Sequence, residues 1–585
     1  MERFYDIWTL RSETEVSVDF SKQEIGEGVT EYTFKLTWEV LQAKEKNDTL
    51  RLACRKSTLY CRNRWTPMSG PSRKLDASWR NSVGQARLSA GAPVTCIFNT
   101  DDLNTYTFAV SEILKCVTVN VGPNDGDVME CVISLPLIQF NEAENYIFKI
   151  YLDERRIPYY QALDGVRLWW EEVNAIDVMP VSHAARMPIY STWYSYHYGI
   201  SDKLIEEECR LAKKIGLEGV IVDDGWQVEV NPQGYAFCGD WEVVASKFPD
   251  MKAHVKKVHE LGMKYMLWFS VPFVGKKSKV CARFEDKVLW SRHDAHILDP
   301  RYPEVREYLV ETYERFVGEY DLDGLKLDFI DCFNTPRDDR VKEGMDYTCV
   351  QEATSALMTE VRDRLLAIRP DCMIEFRQSY VGPGMRRFGN MLRVGDCQND
   401  GYTNHISMTD IRLIAGNTAV HSDMLTWDAS EPVEDSALQV LDALFGVLQY
   451  SLFIDRQDEA HMKMSRYLIG FMKEHEELLQ RSEFIPYEPQ HLYPVITARK
   501  GSEELTAVYA RDRILTVSER AEHFYLVNAS RSEALFVKAE REKRISYTVR
   551  NCMGEAVSTG ETVLGASPSM ISVPVAGMVE CFVLE

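Results

Sequence analysis

The feature that most limits how this 585-residue chain can fold is a change of rhythm near Met187. From there to about residue 480, short β-branched and aromatic runs alternate with stretches whose apolar residues recur every three or four positions. Strands that alternate with helices form parallel sheets, because each crossover brings the chain back to start the next strand in the same direction. Strand candidates lie at 188–193, 219–223, 264–269, 324–330, 373–377, 391–394, 418–421 and 451–454. Between them, Leu204, Ile205, Cys209, Ala212 and Ile215 share one helical stripe and Gly216 follows as a stop. Residues 304–320 read as a helix after Pro303, and 352–368 and 435–448 are equally periodic. Eight such units over about 300 residues predict a closed (β/α)8 TIM barrel, spanning 181–485.

The flanks read differently. Tyr32, Phe34, Leu36, Trp38 and Val40 alternate with polar residues, and similar segments recur at 116–119, 131–134 and 146–151, with turn-formers at 122–126. Residues 1–180 are therefore expected to form a large all-β sandwich. Short alternating runs at 507–510, 524–527, 545–549 and 581–584 predict a small antiparallel β-sandwich over 486–585.

The formal net charge of -22 excludes nucleic acid and anionic membrane as partners, since both require a basic surface. The 14 cysteines are scattered, without a CxxC or a framework spacing, which predicts free thiols in a reducing cytoplasm. The opening Met1-Glu2-Arg3-Phe4-Tyr5-Asp6 lacks the apolar core of a signal peptide, and no apolar run is long enough to span a bilayer. Composition leaves room for a homo-oligomer.

In a TIM barrel the chemistry sits at the C-terminal ends of the strands. Strand two ends in Asp223-Asp224-Gly225-Trp226, strand four carries Lys326 and Asp328, and strand six runs into Gly395-Asp396-Cys397, with Asp400 beyond. Lys326 and Asp328 are two apart, so they point to one face of a pleated strand. Two carboxylates on different strands of one mouth suit glycoside hydrolysis, in which one attacks or activates water and the other protonates the leaving oxygen. A neighbouring lysine would keep the attacking carboxylate ionised. Trp193, Trp226 and Trp268 at strand ends would offer apolar faces to a sugar. Each feature also has a plain structural reading: an ion pair for Lys326 and Asp328, a turn for Asp223 and Asp224, core packing for the tryptophans. His421, Ser422 and Asp423 suggest an outer pocket position. They lack further ligands at metal-binding spacing, so no metal is expected.

Tyr190-Ser191-Thr192-Trp193, Val222-Asp223-Asp224-Gly225-Trp226, Leu267-Trp268-Phe269, the run from Leu298-Asp299-Pro300-Arg301 to Val305, and Lys326-Leu327-Asp328 stand in one order along the chain. Together they resemble glycoside hydrolase family 36, the melibiase-type α-galactosidases, best over about 185–460. The resemblance implies a retaining α-glycosidase with an oligosaccharide or glycoside substrate and no cofactor. It implies Asp328 as nucleophile, Asp396 as acid/base, and Asp223 and Asp224 as the grip on the sugar hydroxyls. Lys326, Arg301 and Trp268 become further sugar contacts. Many members carry Cys-Ser-Gly-Gly-Gly after strand five, near the sugar's C2 substituent; here the chain reads Glu375-Phe376-Arg377-Gln378-Ser379 onward. Arg377 and Gln378 would then meet a different substituent, such as N-acetyl or an acidic group, or Arg377 would pair with Glu375 as scaffold. An α-N-acetylgalactosaminidase or a raffinose-synthase-like transglycosylase are the alternatives on this site. A sugar-binding protein without catalysis would need neither Asp328 nor Asp396.

Overall fold

The computed structural model describes residues 2–38, 48–80, 84–140, 145–229, 234–334 and 341–584. Strands 2–153 form two six-stranded antiparallel sheets. They close on a core that includes Trp8, Phe34, Leu52, Phe108, Ile133 and Phe148. The alternation read at 32–38 buries Tyr32, Phe34, Leu36 and Trp38, and Phe34 stacks on Phe148 across strands at 5.4 Å. Val40 lies outside the described residues.

This region is not all-β. Helix α1, Tyr159–Val173, follows the last strand, and Tyr159, Ala162, Leu163, Val166, Trp169 and Trp170 are buried along it. That spacing is helical, and Pro158 just before it is a helix-start signal that the β reading passed over. Trp170 Nε1 donates to the carbonyl of Val110 in the sandwich at 2.8 Å, and Tyr159 Oη donates to Pro486 O at 2.8 Å.

The barrel is closed by eight parallel strands in sequence order. They are β1 Ile189–Ser191, β2 Gly219–Val222, β3 Lys264–Ser270, β4 Gly324–Asp328, β5 Met373–Arg377, β6 Met391–Arg393, β7 Ala419–Leu425 and β8 Val447–Tyr450. Around them run α2 Asp202–Ile215, α3 Met251–Glu260, α4 Pro303–Tyr320, α5 Val350–Ile368, α6 Gly401–Ala415, α7 Val433–Asp442 and α8 Glu459–Glu474. Gly216 ends α2 at φ +102°, where a side chain would be strained.

Two expectations need correcting. The last strand is β8 at 447–450, four residues before the predicted 451–454, and α7 stops at Asp442. The apolar run from Ala443 to Phe453 satisfies both periods, so its division could not be read from spacing. Between β5 and β6 the crossover is only a 3-10 turn, Pro383–Arg387. Gly389 permits this tight return, since a Cβ there would meet Phe376 at 2.5 Å.

Alternate residues of each strand face the barrel axis. At the bottom, Ile189, Ile221, Met266, Met373 and Met391 pack together with Ala185. One level up the filling turns polar, with Lys326, Glu375, Arg393, His421 and Gln449 all buried. A small three-stranded sheet, 273–298, branches off after β3. The C-terminal domain carries a seven-stranded and a three-stranded sheet over a core that includes Phe524, Val537, Ile545 and Val579.

The three domains meet at one buried polar knot. Asp410 on α6 accepts from Trp65 Nε1 at 2.8 Å and from Arg73 Nη2 at 2.9 Å, both from the sandwich. Arg73 Nη2 also donates to Tyr493 Oη of the C-terminal domain at 3.0 Å. Among the described residues no helix is long and apolar enough to cross a membrane.

Candidate active site

Asp328 ends β4 at the mouth, 7% exposed. Its two oxygens are held unequally. Oδ1 accepts from Arg377 Nε at 2.6 Å, the Phe329 amide at 2.8 Å and Tyr380 Oη at 3.0 Å, whereas Oδ2 accepts from Trp268 Nε1 at 3.1 Å. The Phe329 amide reaches back because that residue sits in the left-handed region, φ +67°. Burial pushes the carboxyl up, but Arg377, then Lys326 and Arg393, outweigh it and bring it down to about 2. The carboxylate is thus ionised at any working pH.

The direct cation on Asp328 is Arg377. Lys326, expected in that role, lies one level lower and donates to Asp223 Oδ2 at 2.6 Å. The scaffold pairing of Arg377 with Glu375 does not form either. Glu375 hydrogen-bonds Gln449 and lies 3.5 Å from Arg393 Nε, while Arg377 passes over the rings of Phe329 and Tyr380 to reach Asp328. Gln378 is engaged as well, its Oε1 accepting from the Gly395 amide at 3.0 Å.

Asp223 and Asp224 stand side by side after β2. The Asp223 amide donates to Thr192 Oγ1 at 3.0 Å. Asp224 accepts from Gln227 Nε2 at 2.6 Å and from Tyr198 Oη at 3.0 Å. Burial pushes the Asp224 carboxyl up, the Gln227 hydrogen bond opposes it, and the Asp223 charge adds to it, leaving it at about 7.

Asp396 follows β6 with its side chain 55% exposed, and Oδ1 accepts from Arg393 Nη2 at 2.9 Å. Partial burial raises its carboxyl, but the Arg393 guanidinium more than compensates and holds it below the ordinary carboxylate range. Arg393 is itself buried, paired with Asp423 as well. Asp423 in turn accepts from Tyr194 Oη at 2.8 Å and the Cys397 amide at 2.6 Å. Asp400 is the N-cap of α6, accepting from the Thr403 amide at 2.9 Å.

Among the tryptophans, Trp268 reaches the site through Asp328, and Trp193 is half-buried beside His197 and Tyr198. Trp226 faces away from the mouth. It is 0% exposed, donates from Nε1 to Trp268 O at 2.9 Å, and packs on Trp241, Phe269 and Phe316. The turn at Asp224-Gly225 swings its indole outward from the barrel axis to the α4 side, so it is core. Arg301 is 2% exposed and clasped by Asp299, with Nε and Nη2 at 3.0 and 2.8 Å from its oxygens. His421 lies in the polar layer, not the outer pocket. Its Nε2 is 2.8 Å from Ala185 O, and burial lowers it to about 3. No group of His, Cys, Asp and Glu among the described residues could hold a metal ion.

The sandwich also reaches the site. Arg87 Nη2 donates to Asp331 O at 3.3 Å, Ser89 Oγ to Phe333 O at 3.0 Å, and the Gly91 amide to Ser379 O at 2.9 Å. These bonds fasten the loops after β4 and β5. Nothing local in the sequence marks Arg87, Ser89 or Tyr380 for this; Arg393, a charge within an apolar strand, was the one available signal.

The family model described as Melibiase matches residues 178–482. The chain belongs to the melibiase family. Alpha-galactosidase 2 of Pediococcus pentosaceus is 28% identical over 149 residues, 24% of this chain and 20% of that protein. Alpha-galactosidase Mel36A of Lactobacillus acidophilus is 25% identical over 151 residues, again 24% and 20%. The matched stretch of this melibiase-family chain thus spans about a fifth of those relatives' length. Its fold is similar to a GH36 α-galactosidase AgaA variant of Geobacillus stearothermophilus crystallised with raffinose. The TM-score is 0.65 at 12% identity, covering 99% of this chain and 81% of that one. An α-galactosidase of Lactobacillus brevis superposes with TM-score 0.65 at 14% identity, covering 99% and 82%.

Proposed function

We propose that this chain is a retaining α-glycosidase that releases terminal α-linked galactose-type sugars by double displacement. The observation that carries the reading is Asp328: buried, ionised, and oriented by four donors at the end of β4. Oδ1 is saturated by three of them, which leaves Oδ2, bound among the described residues by the Trp268 indole alone, as the oxygen that attacks the anomeric carbon. Asp396 donates the proton that the leaving oxygen needs, then takes one from water in the second step. In the resting state Arg393 keeps Asp396 ionised. Substrate that shields this exposed carboxyl from water raises its proton affinity, and so prepares it as the acid. Asp223 and Asp224, with Lys326 between the two carboxylate sites, are assigned to the sugar hydroxyls. The curated relatives, all named α-galactosidases where they match, support a galactoside over other glycosides. Free cysteines throughout support a reducing compartment, the cytoplasm.

The replaced loop after β5 favours a second reading of the sugar, since Arg377 is committed to Asp328 where many relatives present a Cys-Ser-Gly-Gly-Gly run. An N-acetylgalactosaminide or a transferred galactosyl group then becomes the substrate chemistry. A panel of p-nitrophenyl α-glycosides, with NMR of the first-formed anomer, tests both. Release of the α-anomer from the galactoside is expected. A β-anomer product overturns retention, and turnover of the N-acetylgalactosaminide alone replaces the sugar.

A further inference from the structure

On the face of the barrel opposite Asp328, a cleft of about 600 Å³ opens where the three domains converge. Its walls come from α1, from the end of α6 just before β7, and from the segment 480–484 that leads into the C-terminal domain. Four arginines line it, Arg155, Arg167, Arg412 and Arg481, against two carboxylates, Asp164 and Glu483. Three of the arginines have carboxylate partners: Arg155 with Asp153, Arg167 with Asp164 and Glu171, Arg481 with Glu476.

Arg412 differs. It makes no ion pair among the described residues. Nη1 donates to Phe445 O at 2.6 Å and to Leu479 O, and Nη2 to Gln480 O at 3.2 Å. One face of the guanidinium lies 4.1 Å from the Phe484 ring centre. A guanidinium carries five N–H groups, so Nε–H and one Nη2–H are left for another partner. Burial, with Arg186 nearby, brings Arg412 down to about 9, the direction expected of a cation without a counter-charge. Arg412 is half-buried at the cleft wall; a partly desolvated charge met by carbonyls is costly, and a bound anion relieves that cost.

We propose that this cleft is a binding site for a phosphate group, free or carried by a monosaccharide, with Arg412 as its anchor. Guanidinium groups match phosphate oxygens in paired hydrogen bonds, and Arg412, the one lining arginine without a carboxylate partner among the described residues, supplies the uncompensated charge. The volume lies in the range of small-molecule sites and exceeds what a bare oxyanion fills. Tyr160 and Gln161 on α1 supply a ring and an amide where a sugar would extend.

Calorimetric titration of the full chain tests this at matched ionic strength, with inorganic phosphate, a hexose 6-phosphate, the free hexose and chloride. Phosphate is expected to bind and to raise the melting temperature, and the hexose phosphate to bind about tenfold more tightly. Arg412→Met should weaken both at least about tenfold, the loss of a charge-assisted contact. Gln161→Glu, on the exposed side of α1, places a carboxylate in the cleft and should weaken both several-fold. It carries the test if Arg412→Met does not fold. A hexose phosphate no tighter than phosphate assigns the site to the free ion and leaves it standing. Equal melting shifts with phosphate and chloride, wild-type binding by a folded Arg412→Met, or, where Arg412→Met does not fold, wild-type binding by Gln161→Glu, overturn it.

Discussion

Replacing Arg377 with Met removes the strongest cation acting on Asp328 while keeping most of the side chain's bulk. The Asp328 carboxyl lies at about 2 against an ordinary 3.8. A shift of that size corresponds to about 2–3 kcal/mol of stabilisation for the ionised form. Because the folded value is the lower one, this stability is fully present above about pH 4 and is lost as pH falls through about 2. An adjacent opposite charge is worth about 1–3 pKa units, so the variant's carboxyl should lie between about 3 and 5. Two consequences follow for kcat/KM on an activated aryl α-galactoside. Protonation of Asp328 should not limit the wild type above about pH 2, whereas Arg377→Met should add an acid limb between about pH 3 and 5. At pH 7 the variant should lose about ten- to a hundredfold, the worth of a charge-assisted hydrogen bond that orients the attacking group. Stopped assays after brief pH jumps, with unfolding followed by circular dichroism, separate the limb from denaturation. A variant profile without that added limb would refute the assignment of Arg377 as the group that keeps Asp328 ionised.

Asp396→Ala should lose most activity on oligosaccharides and least on activated aryl substrates, and azide should rescue it to a glycosyl azide of retained configuration, seen by NMR. Near-wild-type oligosaccharide turnover would remove Asp396 from its role. Trp226→Ala should cost about 3–5 kcal/mol in urea unfolding, as a core deletion, without the pH signature of the Arg377 variant. Arg73→Met should cost a similar 3–5 kcal/mol by stranding buried Asp410, and adding Asp410→Leu should recover much of it. Asp400→Ala should cost only about 1 kcal/mol of stability, the loss of an N-cap.

The barrel was legible because its strands are apolar, short and separated by helices with clear stripes and stops. Helix α1 was lost to the β character of everything before it, although its buried positions keep helical spacing. In the site, Lys326 and Asp328 were visible as charges on one strand face, but their partners were not. Those partners follow from register. Lys326 stands opposite Glu375 on the neighbouring parallel strand, so Asp328, two residues on, comes level with Arg377. Spacing along one strand suggests Glu375 for Arg377, whereas the sheet places Glu375 one layer lower. Trp226 departs from the sequence expectation for a related reason: strand alternation ends at Asp223, and the turn beyond it obeys its own geometry.

The hairpin 85–92 gives the sandwich a hold on the loops that carry the neighbours of Asp328. Gly382 lets Gly91 O approach so closely that a Cβ there would come within 2.3 Å. The barrel of this chain is therefore not an interchangeable cassette. A chimera that grafts it onto a foreign sandwich would alter the wall around Asp328 before touching any residue of the barrel, and random substitutions selected for new substrate preference should turn up in the hairpin as well as at the strand ends.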